Sequence, residues 1–221
     1  MQVSLTASDG HNLLAHFAEP EGAARGGIVV IQEIFGVNNH IKRVADSFAV
    51  DGYAAIAPAL FDRVGSDIQL GYEEDGIAKG RDYRGQIDNN DALKDVEAAI
   101  QFLSGMGLKV AVVGYCWGGS LAWASATRLT GLSAAVSYYG GELPGMASEM
   151  PKCPVIAHFG ETDQSIPLDK VAIFQAAQPN VPTYIYPAGH GFSCDERGSY
   201  DQECASLARE RTMKFFGSNI G

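Results

Sequence analysis

The chain has 221 residues, 46% hydrophobic and 19% charged, a composition that builds a globular core and excludes a disordered chain. Its 26 acidic and 16 basic side chains leave a formal net charge of −10, which argues against nucleic acid and anionic membrane surfaces as partners. No basic cluster exceeds Lys42-Arg43, and no apolar run approaches membrane-spanning length. The first residues lack the charged and apolar regions of a secretory signal, and the four cysteines at 116, 153, 194 and 204 have neither CxxC nor disulfide-framework spacing. A reducing, cytoplasmic setting is the expectation.

Residues 3–18 alternate around Ser8-Asp9-Gly10 and predict an edge hairpin. Ile28 to Ile31 is a short β-branched run suited to a strand buried on both faces, and it ends in Gln32-Glu33-Ile34-Phe35-Gly36. A helix is predicted over 41–50, closed by Asp51-Gly52, then a strand over 54–57. The polar, glycine-containing stretch from Pro58 to about Asn89 reads as a long connection. Positions 93, 96, 99, 100 and 103 give one apolar face to a helix over 92–103. Strands follow at 110–113, 134–138, 155–160 and 183–186, with helices over 120–126, 168–177 and 203–216. Strands alternating with helices predict an α/β fold: a mostly parallel central sheet covered on both faces, without a large cap, as a single domain over 1–221. Repeats and Pro- or Ser-rich linkers are absent.

The densest signal is Val113-Gly114-Tyr115-Cys116-Trp117-Gly118-Gly119, where a buried strand turns at once into a helix. It has the G-x-S-x-G nucleophile-elbow pattern with cysteine for serine, and the helix N-terminus favours a thiolate. A buried structural cysteine is the alternative. An elbow of this kind requires an acid and then a histidine later in the chain. Asp163 follows the 155–160 strand, with Glu161 as a rival acid, and His190 stands between two glycines after the 183–186 strand. Turn-capping and loop roles are the alternatives for these two. The oxyanion donors expected of this fold are the backbone N–H groups of Trp117 and Ile34. Glu33, a carboxylate between an apolar strand and an Ile-Phe pair, is either a surface acid or a partly buried group that holds or accepts the Cys116 proton. The five histidines are scattered and show no metal-ligand motif, so no metal and no cofactor is expected.

The runs Gln32 to Asn38, Gly52-Tyr53-Ala54-Ala55, Asp95 to Ile100, Val113 to Gly119, Tyr138-Tyr139-Gly140 and Ala188 to Phe192 together resemble the dienelactone hydrolase (carboxymethylenebutenolidase) family of the α/β-hydrolase fold. The resemblance implies a Cys116–His190–Asp163 triad with Glu33 against the resting thiol. It also implies hydrolysis of a small lactone or ester, as in the opening of dienelactone during chlorocatechol breakdown. Family members hold a substrate carboxylate with arginines, one of them four residues after the histidine, where this chain has Cys194. Arg81 is the first choice for the second arginine, with Arg84 nearby and Arg63 and Arg197 as fallbacks. Tyr138 is assigned to the substrate pocket. A monomer or small homo-oligomer is expected. A thiol redox or electrophile sensor, or a weakly catalytic receptor, are the competing functions.

Overall fold

Eight strands make one sheet in the computed structural model, which describes residues 1–221. They are β1 (Gln2–Thr6), β2 (Asn12–Ala18), β3 (Gly27–Ile31), β4 (Ala54–Pro58), β5 (Val110–Tyr115), β6 (Leu132–Tyr138), β7 (Val155–Gly160) and β8 (Thr183–Tyr186). The order is β1-β2-β4-β3-β5-β6-β7-β8, with β1–β2 and β2–β4 antiparallel and every later pair parallel. Every residue of β3, β4, β5 and β7 is buried, which accounts for their unbroken apolar runs. Each buried valine of β5 contributes roughly 1.5–3 kcal/mol relative to exposure.

Six helices cover the sheet: α1 (Asn39–Val50), α2 (Glu74–Gly85), α3 (Asn89–Gly105), α4 (Trp117–Arg128), α5 (Leu168–Ala177) and α6 (Gln202–Asn219). Asn38 caps α1 by accepting from the Ile41 N–H at 3.2 Å, and Asp88 caps α3 from the Asn90 N–H at 2.7 Å. From β3 the chain steps outward to β4, then crosses back to place β5 on the other side of β3. The direction of winding reverses between β3 and β5, so a crevice opens at their carboxyl ends. Glu33 and Ile34 leave one end, and Cys116 leaves the other.

The connection expected from 58 to 89 holds a 3-10 turn at Leu60–Arg63 and the helix α2. No apolar stripe announced α2, because the residues it buries are Gly76 and Gly80. A Cβ on Gly80 would collide with the Ile34 carbonyl, and one on Gly76 with the Gly71 carbonyl, so backbone rather than side chains makes the contact. The glycines that read as a loop are what let this helix seat.

His158 of β7 is fully buried, with Nδ1 against the Tyr186 hydroxyl at 2.8 Å and its ring stacked on Tyr184. Burial, helped by Arg211, drops its pKa from 6.5 to about 3. The unfolded chain takes this proton near pH 6.5 and the folded chain only near pH 3, so protons favour unfolding in that window. Melting temperature should fall between pH 7 and pH 4.5, and His158→Gln should flatten that fall. An unchanged slope in the variant, measured by thermal denaturation, would assign the acid sensitivity elsewhere.

Candidate active site

Cys116 joins β5 to α4 with φ 56° and ψ −115°, a region that costs a non-glycine residue about 1–3 kcal/mol. Its N–H donates to the Tyr138 carbonyl at 3.0 Å and its carbonyl accepts from Ser120 at 3.2 Å, so the strained turn is held on both sides. A Cβ on Gly114 would strike the Gly118 carbonyl, and one on Gly118 would strike the Ile31 and Gln32 carbonyls. The glycine spacing therefore follows from helix α4 entering directly over the ends of β3 and β5.

Asp163 lies in the loop after β7 with its carboxylate fully buried. Its Oδ1 accepts from the Ser165 and Ile166 N–H groups at 2.8 and 3.1 Å, and its Oδ2 meets His190 Nδ1 at 2.7 Å. Burial alone would raise its pKa, but His190 and the two amides outweigh that and hold it below the usual range. Glu161, the rival acid, is exposed. Burial opposes charge on His190, whereas hydrogen bonds and charges from Asp163 and Cys116 push its pKa up to about 10. The fold thus joins His190 to Asp163 and sets Cys116 near enough for its charge to act on the imidazole.

The Ile34 N–H donates to no protein acceptor, and Trp117, as first residue of α4, has no intrahelical partner for its own. Gln32 fixes the Ile34 loop by accepting from the Leu60 N–H at 3.1 Å and donating to the Glu33 carbonyl at 3.3 Å. Glu33 is 1% exposed, so the surface-acid alternative does not describe it. Its Oε1 accepts from Arg197 Nη1 at 2.9 Å, and no hydrogen bond joins it to Cys116. Its Oε2 has no partner, and a carboxylate oxygen of Glu33, a ring nitrogen of His40 and Cys194 Sγ lie within 4.8 Å of one another. Those three residues are far apart in sequence, so ligand-motif spacing did not reveal them.

At the substrate end, Arg81 is exposed on α2 and makes no hydrogen bond or ion pair. Arg84 instead stands 5.8 Å over the Trp117 ring and pairs with Glu142 at 2.5 Å. Arg63 is committed to Asp95 through two 2.7 Å hydrogen bonds. Tyr138 is buried, with its ring against His158 and its hydroxyl 2.7 Å from Thr212. Its neighbour Tyr139, at φ 38°, is the tyrosine that packs on His190, at 5.1 Å between ring centres. The tandem tyrosines pointed to this place without saying which of them faced the histidine. A cavity of about 370 Å³ lined by Leu14, Gln32, Val37, Phe61 and Ile68 includes none of the three contact residues.

Removing Arg197 would leave the Glu33 carboxylate buried and unpaired. Arg197→Met should destabilise the fold by about 3–5 kcal/mol in urea denaturation, and adding Glu33→Gln should recover most of the loss. Additive losses would show that the pair is not the relevant interaction.

Comparison with known proteins fits this geometry. The model of the dienelactone hydrolase family matches residues 13–220. A Synechocystis sp. protein provisionally named a carboxymethylenebutenolidase is 35% identical, over 94% of this chain and 92% of its own length. The Pseudomonas putida carboxymethylenebutenolidase is 31% identical over 96% of this chain and 94% of its own. The crystal structure of a provisionally named dienelactone hydrolase from Klebsiella pneumoniae superposes with a TM-score of 0.85 at 27% identity, covering 98% of both chains. The chain belongs to the dienelactone hydrolase family of the α/β-hydrolase superfamily.

Proposed function

We propose that this member of the family hydrolyses small lactones and esters through a Cys116 thiolate, with His190 as base and Asp163 as its orienting acid. The observation that carries the reading is Cys116 on a strained strand-to-helix turn, near a histidine whose Nδ1 is held by a buried carboxylate. The thiolate attacks the carbonyl carbon while the π electrons move onto oxygen. The N–H groups of Trp117 and Ile34 stabilise that oxyanion, each worth on the order of 3 kcal/mol. Collapse breaks the carbon–oxygen bond, and the His190 imidazolium protonates the departing alkoxide, which stays tethered when the substrate is a lactone. His190 then takes a proton from water, the resulting hydroxide attacks the thioester, and the thiolate leaves. Every step is a proton or acyl transfer within this residue set.

Glu33 serves this chemistry through Arg197. Its carboxylate anchors the guanidinium at 2.9 Å and so fixes a buried ion pair beside the reaction centre. The four free cysteines suit a cytoplasmic enzyme.

Cys116→Ala should abolish turnover while the protein stays folded. His190→Ala and Asp163→Asn should each lower kcat by orders of magnitude, with the double variant little worse than the worse single one. Losses that multiply, or an alanine variant that still hydrolyses p-nitrophenyl acetate at the wild-type rate, would refute the shared mechanism. Stopped-flow release of p-nitrophenol should show a burst stoichiometric with enzyme, as thioester accumulation requires.

The carboxylate-holding arginine is better placed at Arg84 than at Arg81, because Arg84 reaches over the residue next to the nucleophile. Arg84→Ala should raise KM for carboxylate-bearing lactones about tenfold, equivalent to about 1.4 kcal/mol, and leave neutral esters nearly unchanged. Arg81→Ala should change neither. Equal effects of Arg84→Ala on both substrate classes would make it a structural residue.

A further inference from the structure

Behind the strand ends, three side chains from separate parts of the chain converge on one point. Glu33 leaves β3, His40 lies in the first turn of α1, and Cys194 follows His190 by four residues. All three are buried, at 1%, 4% and 0% exposure, and the hydrolytic mechanism uses neither His40 nor Cys194. Two of their polar atoms, Glu33 Oε2 and His40 Nε2, have no hydrogen-bond partner, although burying such atoms unpaired costs stability. The other atoms of both side chains are engaged: Glu33 Oε1 with Arg197 at 2.9 Å, and His40 Nδ1 with Asp195 at 2.9 Å.

That pattern is the one a metal site presents. A ligating histidine gives its second ring nitrogen to a carboxylate, which fixes the tautomer and turns the free nitrogen to the ion. Imidazole, thiolate and carboxylate are the donor set of a tetrahedral ion of borderline softness, and three protein ligands leave a fourth position open. The donor atoms lie within 4.8 Å of one another. Zinc bonds of roughly 2.0–2.3 Å place ligands roughly 3.3–3.8 Å apart, so side-chain adjustments of about 1 Å complete the geometry. Two guanidinium groups, Arg197 on Glu33 and Arg43 on Asp195, oppose a dication there, and three anionic groups, Glu33, Asp195 and the ionised Cys194, offset them.

The geometry points to a zinc-class divalent transition-metal site formed by Glu33, His40 and Cys194, adjoining the Cys116 centre through Glu33 and clamping the loop after His190 to the loop after β3. Binding exchanges the Cys194 S–H bond for a metal–sulfur bond and releases that proton to solvent, with no change in oxidation state. An ion here would tie the histidine loop to the segment carrying the Ile34 amide, a stabilising role that leaves the hydrolytic steps metal-free.

Cobalt(II) titration of the full chain reads the site directly, because thiolate ligation gives a near-ultraviolet charge-transfer band. The Cys116→Ala background removes the other thiol–imidazole pair from consideration. In it, one cobalt per chain should produce the band, zinc should displace the cobalt, and zinc should raise the melting temperature. Adding Cys194→Ser should abolish the band and the zinc-induced rise. Adding His40→Gln, or the second-sphere change Asp195→Asn, should weaken zinc binding at least tenfold. Asp195 is half-exposed, so its variant carries the test if a core variant fails to fold. Absence of the band in folded Cys116→Ala, its persistence with Cys194→Ser, or zinc affinity unmoved by Asp195→Asn would overturn the proposal.

Discussion

Gly118 lies so close to the Ile31 and Gln32 carbonyls that no side chain fits between them, and this contact orders the rest of the site. It lets α4 begin directly above the ends of β3 and β5, where the winding of the sheet reverses. Cys116 is then forced into left-handed backbone, and the first turn of α4 leaves its N–H groups without intrahelical partners. The strain is held by ordinary hydrogen bonds to Tyr138 and Ser120 and by the complete burial of α4 from Trp117 to Thr127. Packing therefore stabilises a backbone conformation that local preference opposes.

Electrostatics divides the site into two linked halves. On one side, buried Asp163 and half-buried His190 form a pair in which each holds the other's charged form. On the other, Glu33 and Arg197 form a buried ion pair, and Arg197 stacks near the Phe35 and Tyr72 rings, beneath the glycine that follows His190. Both halves place a carboxylate where water is excluded, so each depends on its partner rather than on solvent for its charge.

Much of this was legible in the residues. Buried parallel strands appear as unbroken apolar runs, and the elbow and the two later loops follow a fixed chain order that spacing alone can expose. What escaped was whatever depends on backbone-to-backbone packing or on residues distant in sequence. Helix α2 carries glycines where a helix signal wants leucines. Tyr138 and Tyr139 are indistinguishable as letters, yet one packs on His158 and the other on His190. Arg197 was only one of several arginines until the fold set it against Glu33, and Cys194 looked like a missing arginine until His40 was beside it.

Helix α2 has a consequence for how the crevice behaves over time. It leans on the Ile34 carbonyl through Gly80, and its seat offers little apolar surface to hold it there. Such a segment opens at a free energy well below that of global unfolding, because few buried contacts are lost when it lifts. The peptide plane that supplies the Ile34 carbonyl thus has a neighbour free to separate while the strands beneath stay paired. In hydrogen-exchange terms, amides of 74–85 should belong to an early-opening unit and those of β3 and β5 to the last.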